Sequence, residues 1–363
     1  MARGQTPGHV LVARLDSEGD VLLSGPAVRA VAARAGEVTF LCGRRGRAAA
    51  ELLPGVARIV EFTAPWIDPD PAPVSREETF DLVEELAALA PLEAVVLTSF
   101  HQSPLPLALL LRLAGVARIG AISDEYPGSL LDVRHRVGDD LHEVERMLSL
   151  VSALGYDLPA GDDGRLAVER RARVDPPFGG ERYVVVHPGA SVPARAWAPE
   201  LHAALVDELV AAGWRVVVTG GPSETELTAL VAGSGGREVL DLGGRTTLAE
   251  LAEVLASAAA LVAGNTGPAH LAAAVGTPVV SLFAPTVPAS RWRPWKVPLV
   301  LLGDQQAPCA GSRARVCPVE RHPCLNSIPP SDVVRAVAAL AGAPSSLDDA
   351  RSPWNDAAVE VRG

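Results

Sequence analysis

The chain has 363 residues, 48% of them hydrophobic, and a formal net charge of −11. That length suits two domains of ~150–200 residues better than a single core. The acidic balance excludes a broad nucleic-acid surface, since no surplus of cations is present to neutralise phosphates.

No apolar run approaches the ~20 residues that a membrane span needs. The run Val10-Leu11-Val12-Ala13 is cut by Arg14, which argues against a secretory leader. A cytoplasmic place is expected, with peripheral membrane contact left open. Four cysteines form no disulfide framework.

Short apolar runs alternate with amphipathic stretches, the pattern of parallel sheets with helical crossovers. The first half predicts strands at 9–15, 37–42, 58–62, 93–99 and 118–122, and helices at 20–35, 44–53, 77–90, 104–114 and 139–154. Residues 158–180 collect Pro, Gly, Asp and Arg without periodicity and read as a linker. The pattern then restarts, with strands at 183–187, 215–219, 238–242, 260–263, 278–283 and 299–302. Helices are expected at 199–212, 223–232, 248–256, 268–275 and 331–341. The expectation is an α/β protein of two Rossmann-like domains, 1–170 and 171–342, whose parallel sheets face a central cleft. The tail 343–363 is expected either to be disordered or to pack back on the first domain.

Two strand-to-helix turns carry the chemistry. Gly264-Asn265-Thr266-Gly267-Pro268-Ala269-His270 sits between two apolar runs, so backbone N–H groups and a helix N-terminus meet at a sheet edge. Such a terminus suits a diphosphate. Leu15-Asp16-Ser17-Glu18-Gly19-Asp20 places a carboxylate at the equivalent turn near the start of the chain. Asp20 there is either a helix cap or a general base for an attacking hydroxyl, and Glu18 is a rival for the second role.

Other residues divide in the same way. His187-Pro188-Gly189-Ala190-Ser191 and Arg195 follow one strand; the guanidinium is either a solvated surface group or a bidentate phosphate ligand. Glu224, after Gly220-Gly221-Pro222-Ser223, either caps a helix or accepts from ribose hydroxyls. His270 is either structural or a phosphate donor. Cys309, Cys317, Cys324 and His322 lack the tight Cys pair of a zinc ribbon, so a thiol-packed loop is the default over a metal. Neither G-x-G-x-x-G nor a P-loop occurs, which lowers the dinucleotide-oxidoreductase and NTPase classes.

Taken in order, these motifs resemble glycosyltransferase family 9, the ADP-heptose:lipopolysaccharide heptosyltransferases and their relatives. The resemblance runs from about His9 to about Ala341 and rests on Arg14-Leu15-(x3)-Gly19-Asp20-Val21, His187 to Trp197, Gly220 to Glu224 and Asn265 to Ala274. It implies a GT-B fold, with the acceptor on the first domain near Arg14 and Glu18 and the sugar nucleotide on the second. It also implies inverting transfer without a metal or other cofactor. The family's catalytic Asp falls on Asp20. Its donor contacts fall on Arg195 (where Lys is common), Glu224, Thr266, Gly267 and His270; His187, Ser191 and Asn265, beside them in the same turns, are expected at the donor as well.

Two departures stand out: Asn265 replaces a frequent Asp, and Asp16 and Glu18 replace small or apolar residues. The expected partners are therefore an ADP-heptose-like donor and a glycan, lipid-linked or small-molecule acceptor, with no nucleic acid. Two other functions remain open: a sugar-nucleotide epimerase on the same scaffold, and a binding protein without turnover.

Overall fold

The computed structural model describes residues 8–138, 140–233 and 236–342. Strands β1 (His9–Arg14), β2 (Glu37–Cys42), β3 (Arg58–Glu61), β4 (Glu93–Val96), β5 (Arg118–Ile122) and β6 (Val133–His135) form a parallel sheet in the order β3-β2-β1-β4-β5-β6. A second parallel sheet holds β7 (Tyr183–His187), β8 (Arg215–Val218), β9 (Val239–Asp241), β10 (Ala260–Gly264), β11 (Val279–Leu282) and β12 (Leu299–Leu302). Its order, β12-β11-β10-β7-β8-β9, is the same permutation read from the other edge. The α/β architecture of two Rossmann-like lobes is thus present.

Each central strand is covered on both faces, which is why it reads as an unbroken apolar run rather than an alternating one. Val10 and Val12 of β1 join the core between the lobes, whereas Leu11 and Ala13 join the core behind the first sheet. Tyr183 and Val185 of β7 face the shared core, and Val184 and Val186 face a third core behind the second sheet. The shared core is continuous from Val12 and Leu22 to Val185 and Leu261, so the lobes meet through packed side chains as well as through the chain.

Local differences from the expected elements have identifiable causes. The helix expected at 20–35 is two helices, Glu18–Leu23 and Gly25–Ala32. Pro26 has no N–H to continue the ladder, and the Ser24 hydroxyl donates to the Val21 carbonyl at the break. The helix expected from 139 starts at Glu143, capped by His142, whose Nδ1 accepts from the Val144 N–H at 3.2 Å. Strand β6 was not anticipated. Residues 158–180, expected as a linker, are held down: Asp162 pairs with Arg29 at 2.7 Å, and the Trp295 indole donates to the Gly164 carbonyl at 2.8 Å. The expected tail at 343–363 lies outside the described residues.

Candidate functional site

In each sheet the chain changes direction at one pair of neighbours, β1/β4 in the first and β7/β10 in the second. Such a switch point leaves a crevice at the carboxyl ends of the strands. Here the two crevices face one another across a single cleft of about 440 Å³. The first lobe lines it with Asp16 and Asp20, after β1, and with Ser99 and Gln102, after β4. The second lobe lines it with Ser191 and Arg195, after β7, and with Asn265, Thr266, Gly267 and His270, after β10.

The first-lobe wall is built on Arg14, the last residue of β1, which is fully buried. Its Nε lies 2.7 Å from Asp16 Oδ2, its Nη2 3.0 Å from Asp20 Oδ1 and its Nη1 3.5 Å from Glu143 Oε2. Nη2 also donates to the Ser99 hydroxyl at 2.8 Å. Burial alone would lower the Arg14 pKa, but the three carboxylates more than reverse this, so the guanidinium lies above its ordinary value. Asp20 Oδ2 accepts from the Ser17 hydroxyl at 2.7 Å and from the Ser17 N–H at 3.3 Å. Asp20 therefore caps its helix and faces the cleft at once. A carboxylate offers about four lone-pair sites, and one on Oδ1 stays open for a substrate hydroxyl.

The second-lobe wall is a helix terminus. Helix Gly267–Val275 starts at the cleft with Thr266 as its N-cap, and Pro268 occupies the first turn, where an N–H would have no partner in the helix. Its leading N–H groups and dipole favour an anion there. Gly264 allows the loop after β7 to lie over this turn: a Cβ at Gly264 would stand 3.0 Å from the Arg195 carbonyl oxygen. Arg195 Nε and His270 Nδ1 are buried without a hydrogen-bond partner. Burial lowers the Arg195 pKa from its ordinary value and pushes His270 down to about 4, so its imidazole is neutral.

The walls touch at one corner. A Cβ on Gly19 would lie 3.1 Å from His270 Cδ2 and 3.4 Å from the Gly267 Cα. Glycine at 19 thus lets the turn that carries Asp20 approach the helix terminus that would hold an anion.

Four expected site residues lie elsewhere. Arg14, expected at an acceptor, does not line the cleft; it is sealed behind Asp16 and Asp20 and its charge is committed to carboxylates. Glu18, the rival base, is also off the cleft wall; burial raises its pKa while Arg45 lowers it. His187 is buried beside the cleft with Nδ1 3.0 Å from the Thr219 hydroxyl and Nε2 3.9 Å from Glu224 Oε2. Glu224 Oε2 accepts from the Gly221 N–H at 2.7 Å, in a space that exists because Gly189 has no side chain. Neither residue lines the cleft.

Other residues enter the wall beyond the expected site. Asp16, noted only as a departure from the family, stands there with Gln102, which no motif marked, and the Gln102 amide donates to Asp16 Oδ1. Arg44 and Arg45 come from the loop after β2, and Arg313 and Arg315 from the cysteine-containing segment. They surround the cleft with cations in an acidic chain. Cys309, Cys317 and Cys324 are free thiols, and burial, then the neighbouring Cys309 and Cys317, push Cys324 up to about 11. Among the described residues, no group of three His, Cys, Asp or Glu side chains is placed to hold a metal ion.

The model of "Glycosyltransferase family 9 (heptosyltransferase)" matches residues 101–322, more than half of the chain, though not the turn that carries Asp16 and Asp20. Lipopolysaccharide heptosyltransferase 3 of Escherichia coli is 32% identical over 209 residues, covering 53% of this chain and 58% of the relative. The chain spans about half to three-fifths of the length of the first curated relatives it matches. Among solved structures, a family 9 glycosyl transferase from Veillonella parvula superposes with a TM-score of 0.72 at 17% identity, covering 93% of this chain and 99% of that one. The E. coli ADP-heptose lipopolysaccharide heptosyltransferase II superposes with a TM-score of 0.68 at 22% identity, covering 92% and 98%. These two share the GT-B fold of the present chain.

Proposed function

From a chain that belongs to glycosyltransferase family 9, we propose a glycosyltransferase that moves a heptose-like sugar from ADP-heptose or a related sugar nucleotide to an acceptor hydroxyl. The relatives' names supply the donor class. The observation that carries the proposal is the cleft itself, with Asp20 on one wall and Arg195, Gly267 and His270 on the other. The first lobe, 1–170, presents the acceptor, and the second, 171–342, holds the donor. The acceptor is a glycan, lipid-linked or small-molecule hydroxyl compound, reached in the cytoplasm or at a membrane surface. No helix among the described residues is long and apolar enough to cross a membrane.

The reaction is a single displacement with inversion. Asp20 takes the acceptor proton as the acceptor oxygen attacks the anomeric carbon, and the nucleoside diphosphate departs from the opposite face. Negative charge grows on the leaving diphosphate in the transition state. Arg195 and the N–H groups at the start of helix Gly267–Val275 lie on the wall where that charge appears, and groups placed there in advance lower the barrier. Arg313 and Arg315 add positive charge to the same cleft. These groups take the place of a divalent ion, so EDTA leaves the rate unchanged; a loss restored by added divalent ion would overturn the metal-free scheme.

Asp20→Asn tests the base. Turnover of ADP-heptose with acceptor falls by roughly 10²–10⁴, while ADP affinity by calorimetry stays within a few-fold. Retained turnover would remove Asp20 from the chemistry. Product made from donor alone, with no acceptor, would identify an epimerase instead.

A further inference from the structure

Residues Arg291 to Trp295 lie between β11 and β12 of the second lobe, yet they rest on the first. We propose that this segment is an interlobe strap, and that Phe100 and His142 are the positioning residues through which it sets where Asp20 stands relative to the second-lobe wall. The inference rests on the glycosyl-transfer reading of the cleft.

The strap grips the first lobe at two places. Phe100, on the turn after β4, lies against two second-lobe guanidiniums: Arg291 Cζ is 4.3 Å and Arg313 Cζ 5.6 Å from its ring centroid. A cation over an aromatic face is attracted by the quadrupole of the ring. Trp292 stands beside the same ring, with centroids 6.5 Å apart. Arg313 reaches it from a backbone with φ of +58°, a conformation that costs a residue with a Cβ. Its N–H is tied there to the Thr286 carbonyl at 2.8 Å. At the second place the His142 ring stacks on Trp295 with centroids 4.4 Å apart, and its Nε2 donates to the Arg293 carbonyl at 2.9 Å. The other ring nitrogen, Nδ1, accepts from the Val144 N–H, which fixes that tautomer.

Both grips end one residue from a partner of Arg14. Ser99, just before Phe100, accepts from Arg14 Nη2 at 2.8 Å, and Glu143, just after His142, pairs with Arg14 Nη1 at 3.5 Å. The turn that carries Phe100 is stiff: the Gln102 N–H donates to the Ser99 carbonyl and the Ser99 N–H to Gln102 Oε1, both at 3.0 Å. Arg14 in turn holds Asp20 at 3.0 Å. Two short routes of packed and hydrogen-bonded groups thus run from the strap to the carboxylate. Phe100 is not part of the core that the lobes share, so a change there leaves that core whole.

The test compares two ligands and needs no acceptor. ADP is held by the second lobe alone, whereas the sugar of ADP-heptose lies between the walls. Affinity for a ligand that needs the held arrangement falls with the fraction of the chain that keeps it. Phe100→Leu retains apolar bulk and loses the ring face. By calorimetry on the full chain, ADP affinity then stays within about twofold, while ADP-heptose affinity falls several-fold, up to the ~30-fold that two such contacts are worth. Phe100→Tyr keeps the face and returns the affinity, and amide hydrogen exchange across residues 289–296 is faster in Phe100→Leu only. An equal loss for both ligands, no loss for either, a loss that Phe100→Tyr does not return, or unchanged exchange in the strap would each overturn the proposal. If thermal melting shows that Phe100→Leu does not fold, Arg291→Gln carries the same comparison from the second lobe. Failure of the underlying reading is separate: the unaltered chain would then bind no ADP-heptose, and exchange in the strap alone decides.

Discussion

The two walls of the cleft differ in how their charged groups are paired. On the first lobe charge meets charge: Arg14 is ringed by Asp16, Asp20 and Glu143, and Asp20 is further held by Ser17. On the second lobe, Arg195 Nε and His270 Nδ1 are buried without hydrogen-bond partners, beside the N-terminus of helix Gly267–Val275. An unpaired buried polar atom costs ~1–3 kcal/mol. Arg14 Nε and Glu143 Oε1 on the first wall also lack a hydrogen-bond partner, but there ion pairs bind the charged groups to one another, whereas Arg195 makes no ion pair among the described residues. That division fits the proposed roles, in which Asp20 is a base aimed in advance and the second wall receives a leaving group.

Breaking the first wall gives the largest effect. Arg14→Ala leaves three carboxylates around a vacated site, and breaking such a buried pair costs ~3–5 kcal/mol. Urea denaturation measures it; unchanged stability would mean that the ring of charge contributes nothing to the fold.

Breaking the second wall acts on the ligand instead. Arg195→Ala removes a cation that makes no ion pair among the described residues, so the melting temperature of the free chain stays nearly constant. A hydrogen bond to a charged group is worth ~1.5–3 kcal/mol, so ADP affinity falls roughly 10–100-fold by calorimetry. Equal affinity would remove Arg195 from the diphosphate site and erase the contrast between the walls.

The corner where the walls meet sharpens the comparison. Gly19→Ala puts a Cβ 3.1 Å from His270 Cδ2, which forces a shift of a few tenths of an ångström between the turn that carries Asp20 and the start of helix Gly267–Val275. Such overpacking costs ~1–3 kcal/mol at most. Turnover falls several-fold, with ADP affinity reduced less, and identical kinetics would show that the contact has slack.

At any single pH the smallest signal is a linkage effect. Folded Asp16 titrates at about 6, above the ordinary 3.8. Between those values the unfolded chain has already lost a proton that the folded chain keeps. Stability from this group is therefore full below about 3.8 and is lost as pH rises toward about 6. In Asp16→Asn that part of the stability–pH curve flattens, as read by urea midpoints at steps through the window. Parallel curves would contradict a buried, shared Asp16.

Much of the fold was legible because its signals are local. Every central strand is an apolar run of four to six residues bounded by Gly, Pro or charge, and a parallel sheet buried on both faces demands that pattern. The Gly-rich turn before His270 and the Gly19-Asp20 turn were visible for the same reason, since close backbone approach requires glycine at fixed offsets. Strand β6, Val133-Arg134-His135, carries no strand signal in the sequence because it is short and partly buried and two of its three residues are polar; only pairing with β5 makes it a strand. The break at Ser24 is local as well, since Gly25-Pro26 starts a new helix where the apolar pattern alone runs on.

The site divides along the same line. The amino-acid order by itself determined that a carboxylate and a Gly-rich helix start stand at two strand-to-helix turns, because each turn is made of neighbours in the chain. It could not determine which charged groups face the cleft and which are sealed behind it. Arg14, expected at the acceptor, is a buried hub; Asp16, a departure from the family pattern, lines the wall; and Arg44, Arg45, Arg313 and Arg315 converge from distant loops. Electrostatic neighbourhoods depend on distances through space, and only the packing of two sheets with their switch points opposed sets those distances.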